Sequence, residues 1–437
     1  MTRGDGGWYD VGDGKEEKRA LPGNHGRETI VSLNLGPAMP VVAVFVWLCA
    51  GNLHAIDVPY VIVDTGQTKC YSNDREIAPP SPGQPFYGQD AQNKGKQPAY
   101  KDNGDGTISD LNTGLMWVKA RGEETTWDNA KAGASTCRIG GHSDWRMPTI
   151  KELYSLINFN GGCHGTAADS MPYIDTRYFD FKYGDEAKGE RVIDCQDWSA
   201  TEYVGTTMNN NVTVFGVNFA DGRIKGYPKN MNRREGATAN KLYVRYVRGN
   251  PKYGKNDFRD DGDGTITDHA TGLMWSKADS GQGMNWEEAL AWVQAKNKEN
   301  YLGHNDWRLP DAKELQSIVD YTRAPAVTRS PAIDPLFQTT QLGDGEYPFF
   351  WTSTNHLEGP SDRQGTAAVY VAFGRALGWM QFPPERGEYR LLDVHGAGAQ
   401  RSDPKTGSPA DFPHGRGPQG DVIRIMNYVR GVRGGIM

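Results

Sequence analysis

Two acidic segments are where residue types and spacing in this chain could first do chemistry. Tyr100 to Trp117 reads YKDNGDGTISDLNTGLMW, and Phe258 to Trp275 reads FRDDGDGTITDHATGLMW. Asp102, Asp105 and Asp110, with Asp260, Asp263 and Asp268 in the second segment, offer the hard oxygen ligands that calcium takes. An EF-hand loop, however, needs acidic or amide residues at alternate positions and a Glu at the twelfth, and Gly104 and Gly262 occupy the third. Tight Asx and Gly turns shaping a hairpin explain the same residues and are the preferred reading. Calcium is carried forward as the one cofactor to test.

His142 and His304 stand in equivalent G-H-x-D-W-R segments beside Asp144 and Asp306, the residue types of a general-base pair. No Ser or Cys nucleophile accompanies them in both segments, so hydrogen-bonded turn histidines are expected. Arg146 and Arg308, next to Trp145 and Trp307, are expected to stack on an indole or pair with a carboxylate. No motif selects a glycosidase pair from the 54 acidic residues. No catalytic residues are therefore assigned.

Cys49 lies in an apolar run, which leaves Cys70, Cys137, Cys163 and Cys195. An even number suits two structural disulfides, with all three pairings open. No C-x-x-C spacing suggests zinc or redox chemistry.

The acidic segments open an internal repeat. GGHSDWRMPTIKEL (140–153) recurs as LGHNDWRLPDAKEL (302–315), Ile174-Asp175 as Ile333-Asp334, and DWSATEY around Trp198 as FWTSTNH around Trp351. Each copy closes on an Arg-flanked strand, YVRYVRG at 243–249 and YVRGVRG at 428–434. The copies run from about 98 to 250 and from about 255 to 437, after an N-terminal stretch 1–55 and a lead segment 56–97. Residues 383–419, rich in Gly and Pro, have no first-copy partner and read as a surface-loop insertion.

Within each copy two short helices are predicted. Asn285 and Glu288 form a capping box ahead of a face of Trp286, Ala289, Leu290 and Val293, and the first-copy equivalent starts near Thr126-Trp127. Thr149 with Glu152, and Asp311 with Glu314, cap a second helix that buries Leu153, Leu156 and Ile157, or Leu315, Ile318 and Val319. Strand-like segments follow, with a turn at Asp221-Gly222 and another at Gly374-Arg375. Helices followed by strands, with both ends of a copy brought together, indicate an α+β fold of tandem domains with antiparallel sheets.

Net charge is -6 and basic residues are dispersed, which argues against nucleic acid as partner. The run Ala38–Ala50 is too short to span a bilayer and fits a signal-peptide core with cleavage near Ala55, leaving no transmembrane span in the mature chain. An extracytoplasmic location follows: secreted, periplasmic or cell-surface. The true start could lie downstream, at Met39, although that start lacks a positive n-region.

These motifs resemble the domain family named for the C-terminal domain of the Legionella collagen-like adhesin. The resemblance covers both copies, through D-x-G-D-G-T-I-x-D, T-G-L-M-W and D-W-R-x-P-x-x-K-E-L, and the lead segment YVIVDTGQTKCYS (60–72) fits what precedes such domains. It implies a C-type-lectin-like fold, since the W-R-L-P segment is similar to that of formylglycine-generating and related lectin-fold proteins. Catalysis of that type would need cysteines near the C-terminus, and none follows Cys195. The family's closing-strand Cys is replaced here by Tyr246 and Gly431.

The resemblance implies adhesion or glycan binding, the namesake being a binder of sulfated polysaccharide. The expected function is non-catalytic recognition of a polysaccharide or cell-surface protein. A structural assembly role, in which an oligomer forms, and a polysaccharide hydrolase are the alternatives. Tyr203, Tyr227 and Trp379, which differ between copies and are not demanded by the core pattern, are the candidate ligand contacts.

Overall fold

The computed structural model describes residues 58–434 apart from 209, 234–235, 361, 363 and 383–385. The apolar run at 38–50 and the cleavage point near Ala55 lie outside the described residues. Residues 56–437 form one compact unit.

In the first copy, the D-x-G-D-G turn joins β1 (Tyr100–Asp102) to β2 (Thr107–Asp110), and β3 (Leu115–Val118) continues the antiparallel meander. Gly104 and Gly106 sit at φ +79° and +85°, a region glycine enters without steric cost. Helix α1 (Trp127–Thr136) is capped by Thr126, and α2 (Ile150–Ser155) by the full Thr149–Glu152 box. Strands β4 (Asp197–Thr207), β5 (Asn211–Asn218) and β6 (Arg223–Pro228) follow, then a hairpin of β7 (Asn230–Arg233) and β8 (Gly236–Ala239). The closing strand β9 (Val247–Gly249) returns to β3, with Val247 opposite Trp117.

The second copy repeats the meander with β10 (Phe258–Asp260), β11 (Thr265–Asp268) and β12 (Leu273–Ser276). Helices α3 (Trp286–Lys298) and α4 (Ala312–Ser317) carry the predicted capping boxes on Asn285–Glu288 and Asp311–Glu314. Then come β13 (Phe349–His356), β14 (Ala367–Ala372), a hairpin of β15 (Leu377–Phe382) and β16 (Glu388–Asp393), and β17 (Gln400–Pro404). The closing strand β18 (Val432–Arg433) pairs with β12. The fold is α+β with antiparallel sheets, as expected.

The two copies share one six-stranded sheet in the order β13-β14-β17-β6-β5-β4, joined between β17 and β6 by the single pair Gln400–Ile224. They also share a core, in which Trp117, Leu153, Phe215 and Val217 pack in one cluster with Trp275, Leu315, Val369 and Phe373. The expected loop insertion at 383–419 is corrected: it contains the whole of the hairpin's second strand, β16, and the sheet strand β17. GRIKGY (222–227) and GRALGW (374–379) correspond in sequence, yet Leu377–Phe382 leaves the sheet as a hairpin. Strand β17 takes the place beside β14 that β6 holds beside β5.

The expected disulfides are also corrected: Cys70, Cys137, Cys163 and Cys195 are all free thiols. Each is carried by a different element: a hairpin strand, the C-cap of α1, the loop beside Leu357 and the segment before β4. Burial pushes the Cys70 thiol up to about 11 and Cys195 up to about 12, which keeps both protonated.

The W-R-x-P arginines clamp the capping boxes. Arg146 makes a bidentate pair with Glu152 at 2.6 and 2.5 Å, and Arg308 makes the same fork on Glu314. Asp144 and Asp306 accept from the closing-strand residues Arg248 and Arg433, each at 2.7 Å. Arg245 and Arg430 are wholly buried and donate to backbone carbonyls at the ends of β3 and β12.

These clamps differ in burial, and so in expected cost. Both partners of Arg308–Glu314 are buried, with side chains 8% exposed, so Glu314→Ala should lose about 3–5 kcal/mol in urea unfolding by stranding a buried cation. Glu152→Ala should lose less, because the Arg146 side chain is 37% exposed and water can take over. Equal losses would count against this account of the clamp.

Candidate functional site

The structure keeps the six turn aspartates apart and occupied. Asp102 accepts from the Gly104 amide and Lys119 Nζ, Asp105 from the amide and hydroxyl of Thr107, and Asp110 from the amides of Asn112 and Thr113. In the second copy, Asp260 pairs with Lys277, Asp263 accepts from Thr265, and Asp268 accepts from Asp257 and Ala270. Among the described residues no group of three or more His, Cys, Asp or Glu could hold a metal ion. The calcium expectation therefore gains no ligand set: these are Asx turns, and two of the six carboxylates are neutralised by a lysine. His142 and His304 stand edge-on to Trp145 and Trp307, with ring centroids 6.1 and 5.9 Å apart.

Tyr203 is corrected from surface contact to core residue. It is 5% exposed, meets Phe215 edge-to-face at 5.6 Å, and donates its hydroxyl to Asp393 at 2.7 Å. Tyr227 lines, and Trp379 lies beside, a site that residue spacing alone did not assemble.

That site is a cavity of about 780 Å³ where the copies meet. Strand β6 gives it Arg223, Lys225 and Tyr227, alternate residues that share one face of the strand. Strand β17 adds Arg401 and Ser402, and the segments around β17 add Glu358, His395 and Asp421. The backbone at this junction is tied by Gly226 N–H donating to His395 O at 2.9 Å. Neither copy alone contains the set.

The charges interlock. Asp221 lies 2.9 Å from Lys225 and 3.3 Å from Arg223, Arg223 pairs with Glu358, and Arg401 pairs with Asp421. Burial would raise Asp221, but Lys225, Arg223 and Arg401 outweigh it and hold the carboxyl down at about 2. Burial, with Arg401 and Arg223 nearby, pushes Lys225 down to about 8 against the pull of Asp221. Burial and then Arg401 hold His395 well below the usual imidazole range. A neutral His395 therefore donates to Asp421 at 2.7 Å as a hydrogen bond, not as an ion pair.

Donors remain unused. Arg401 Nε and Nη1, Arg223 Nε and the Tyr227 hydroxyl have no hydrogen-bond partner among the described residues. A buried polar group without a partner is costly, so such atoms mark a place where a ligand could complete the network.

An aromatic patch adjoins the cavity through the segment 412–421. The His414 ring stacks on Tyr389 at 3.6 Å and meets Trp379 edge-on at 6.4 Å. Tyr389 and Leu391 of β16 are each 41% exposed. Arg416 to Gln419 of the same segment line the cavity, and Asp421 pairs by backbone hydrogen bonds with Arg416. The alternation Arg223, Lys225, Tyr227 in RIKGY was a readable signal for one wall of the site. Its partners Arg401 and Asp421 had none, because Arg401 fell in the apparent loop.

The family described as the Lcl C-terminal domain matches the chain twice, over residues 106–248 and 264–394. The second match ends at Val394, ahead of β17 and of the closing strand. No curated protein and no solved structure gives a significant match.

Lys225 sits at about 8 in the fold against its ordinary 10.5. Between those values the unfolded chain holds a proton that the folded chain has released, so this group makes stability rise as pH climbs through 8. The urea midpoint measured from pH 8 to 10 should rise more steeply in the unsubstituted chain than in Lys225→Met. Parallel profiles would count against the buried lysine.

Proposed function

The chain belongs to the Lcl C-terminal domain family, two copies of whose domain it carries in tandem, and from that premise we propose that it is an adhesin-like surface protein that recognises a polysaccharide without transforming it. The observation that carries the reading is the charged cavity at the junction of the copies, with an exposed aromatic patch beside it. Sugar sites combine these parts: an aromatic face for the apolar side of a pyranose and a few fixed polar groups for its substituents. The lectin-like assignment of each copy is part of this proposal, and the paired short helices and the Arg–Glu clamp support it.

A binding role is favoured over a catalytic one by the state of the titratable groups. On the β6 and β17 side of the cavity Asp221, Glu358 and Asp421 are each tied to a cation, so none of these three is a free general acid or base. Export is inferred from the apolar run at 38–50 and the small residues that follow it. Among the described residues no helix is long and apolar enough to cross a membrane.

Screening the chain on a glycan array should give saturable binding to at least one polysaccharide. Trp379→Ala or Tyr389→Ala should weaken that binding about tenfold, roughly 1.4 kcal/mol, while leaving the melting temperature near that of the parent. Failure to bind any glycan, together with a stable oligomer, would favour a structural assembly role instead.

A further inference from the structure

The unused donors at the junction imply more than a general sugar site, an inference that rests on the reading of the cavity as the polysaccharide site. Around β6 and β17 stand four cations, Arg223, Lys225, Arg401 and Arg416, against three carboxylates, Asp221, Glu358 and Asp421. His395 adds no charge, because burial keeps it neutral. The group is one unit positive, and its least satisfied member is Arg401, with two of three guanidinium nitrogens unpartnered. Arg401 is only 8% exposed, so water replaces a partner poorly there.

Elsewhere the lining sets Glu124, Glu190 and Asp194 against Arg191 and Lys241, one unit negative, and Arg191 is already taken up by Asp194 at 2.6 Å. Glu124, Glu190 and Asp194 lie close enough together that Glu190 and Asp194 add to burial in raising the Glu124 carboxyl. Carboxylates accept hydrogen bonds from sugar hydroxyls, but they repel a densely anionic chain. A ligand suited to both regions carries one isolated negative group and otherwise neutral hydroxyls.

We propose that this cavity selects a polysaccharide bearing unsulfated uronic-acid residues, one sugar carboxylate pairing with Arg401 and Lys225 and accepting the Tyr227 hydroxyl. A carboxylate offers two oxygens with about four acceptor sites, which suits these three donors. The site requires both copies, since Tyr227 and Lys225 come from β6 and Arg401 from β17. The charged groups facing Lys225 are Asp221, Arg223 and Arg401, with neutral His395 beside them. Loss of its proton above pH 8 removes one of the attractions, so affinity should fall as pH rises from 7 to 9.

Calorimetric titration of the full chain with an oligogalacturonide, its carboxyl-reduced neutral counterpart and dextran sulfate tests the idea. The acidic oligomer should bind at least tenfold tighter than the reduced one and tighter than dextran sulfate. Arg401→Gln should abolish that difference. Removing Arg401 also strands Asp421, so Tyr227→Phe supplies a second variant: its hydroxyl has no partner to lose, and acidic-oligomer affinity should drop about three- to tenfold with unchanged melting. Equal binding of acidic and reduced oligomers, unaffected by Tyr227→Phe but weakened by Trp379→Ala, would overturn the uronate assignment and leave the glycan reading standing. Tighter binding of dextran sulfate would also overturn it. No binding of any of the three, with no other glycan bound either, would overturn both.

Discussion

Strand β17 meets β6 at one residue pair, and the rest of the structure depends on that contact. A sheet edge left open offers unpaired backbone groups to any passing strand, so each copy must cover its own. Here each edge covers the other: Ile224 pairs with Gln400, and the next amide along, Gly226, finds His395 O. Two three-stranded halves become one six-stranded sheet, and the cores behind them fuse around Trp117 and Trp275. The contact is short, and the space beside it is filled by charged side chains. Buried charge is tolerated only when paired, which explains why Asp221, Arg223, Glu358, Arg401 and Asp421 form an interlocked set.

Each copy builds its half by the same local device. The Glu of a capping box serves twice, accepting from the N-cap amide and holding the W-R-x-P arginine, so helix start and turn are fixed together. The Asp before that Trp then reaches the last Arg of the closing strand. A second Arg, two residues after the closing-strand Tyr, ties the same strand to carbonyls of the meander. A motif of fewer than ten residues thereby joins the beginning, middle and end of a copy, which is why D-W-R-x-P and Y-V-R recur unchanged while the segments between them vary.

Much of that device was legible in the sequence. Capping boxes, the apolar faces of α2 and α4, the Gly turns and the closing strands follow from local spacing, and local spacing is what a sequence displays. The Arg–carboxylate pairing was one of two stated options, and distance in three dimensions decided it. What stayed hidden depends on long-range placement. Tyr203 lies on β4 and looked surplus to the core, but Asp393, 190 residues away, takes its hydroxyl. The four cysteines looked like disulfide partners in number, and number says nothing of whether their elements meet. Residues 383–419 looked like loop because Gly and Pro flank a strand of five residues, Gln400–Pro404, too short and polar to announce itself.

That misread strand is the element that sets this tandem apart from two independent domains. By sequence, the partner of β6 in the second copy is β15, yet β15 has left the sheet to form a hairpin with β16. Had it stayed, Arg375, Leu377 and Trp379 would take the face that Arg223, Lys225 and Tyr227 hold on β6, with Leu377 in place of the lysine. The extra chain after Phe382 lets β15 swing out, carrying Trp379 to a half-buried position beside His414, and brings β17 in as a charged replacement. One insertion thus creates both parts of the site, the aromatic patch from the displaced strand and the charged cavity from its substitute. Because β17 is buried on both sides between β14 and β6, its charges are fixed by the sheet itself. Divergence between the copies is then a requirement of the site: without the extra chain of the second copy neither Arg401 of β17 nor the displaced hairpin of β15 and β16 would stand at the junction.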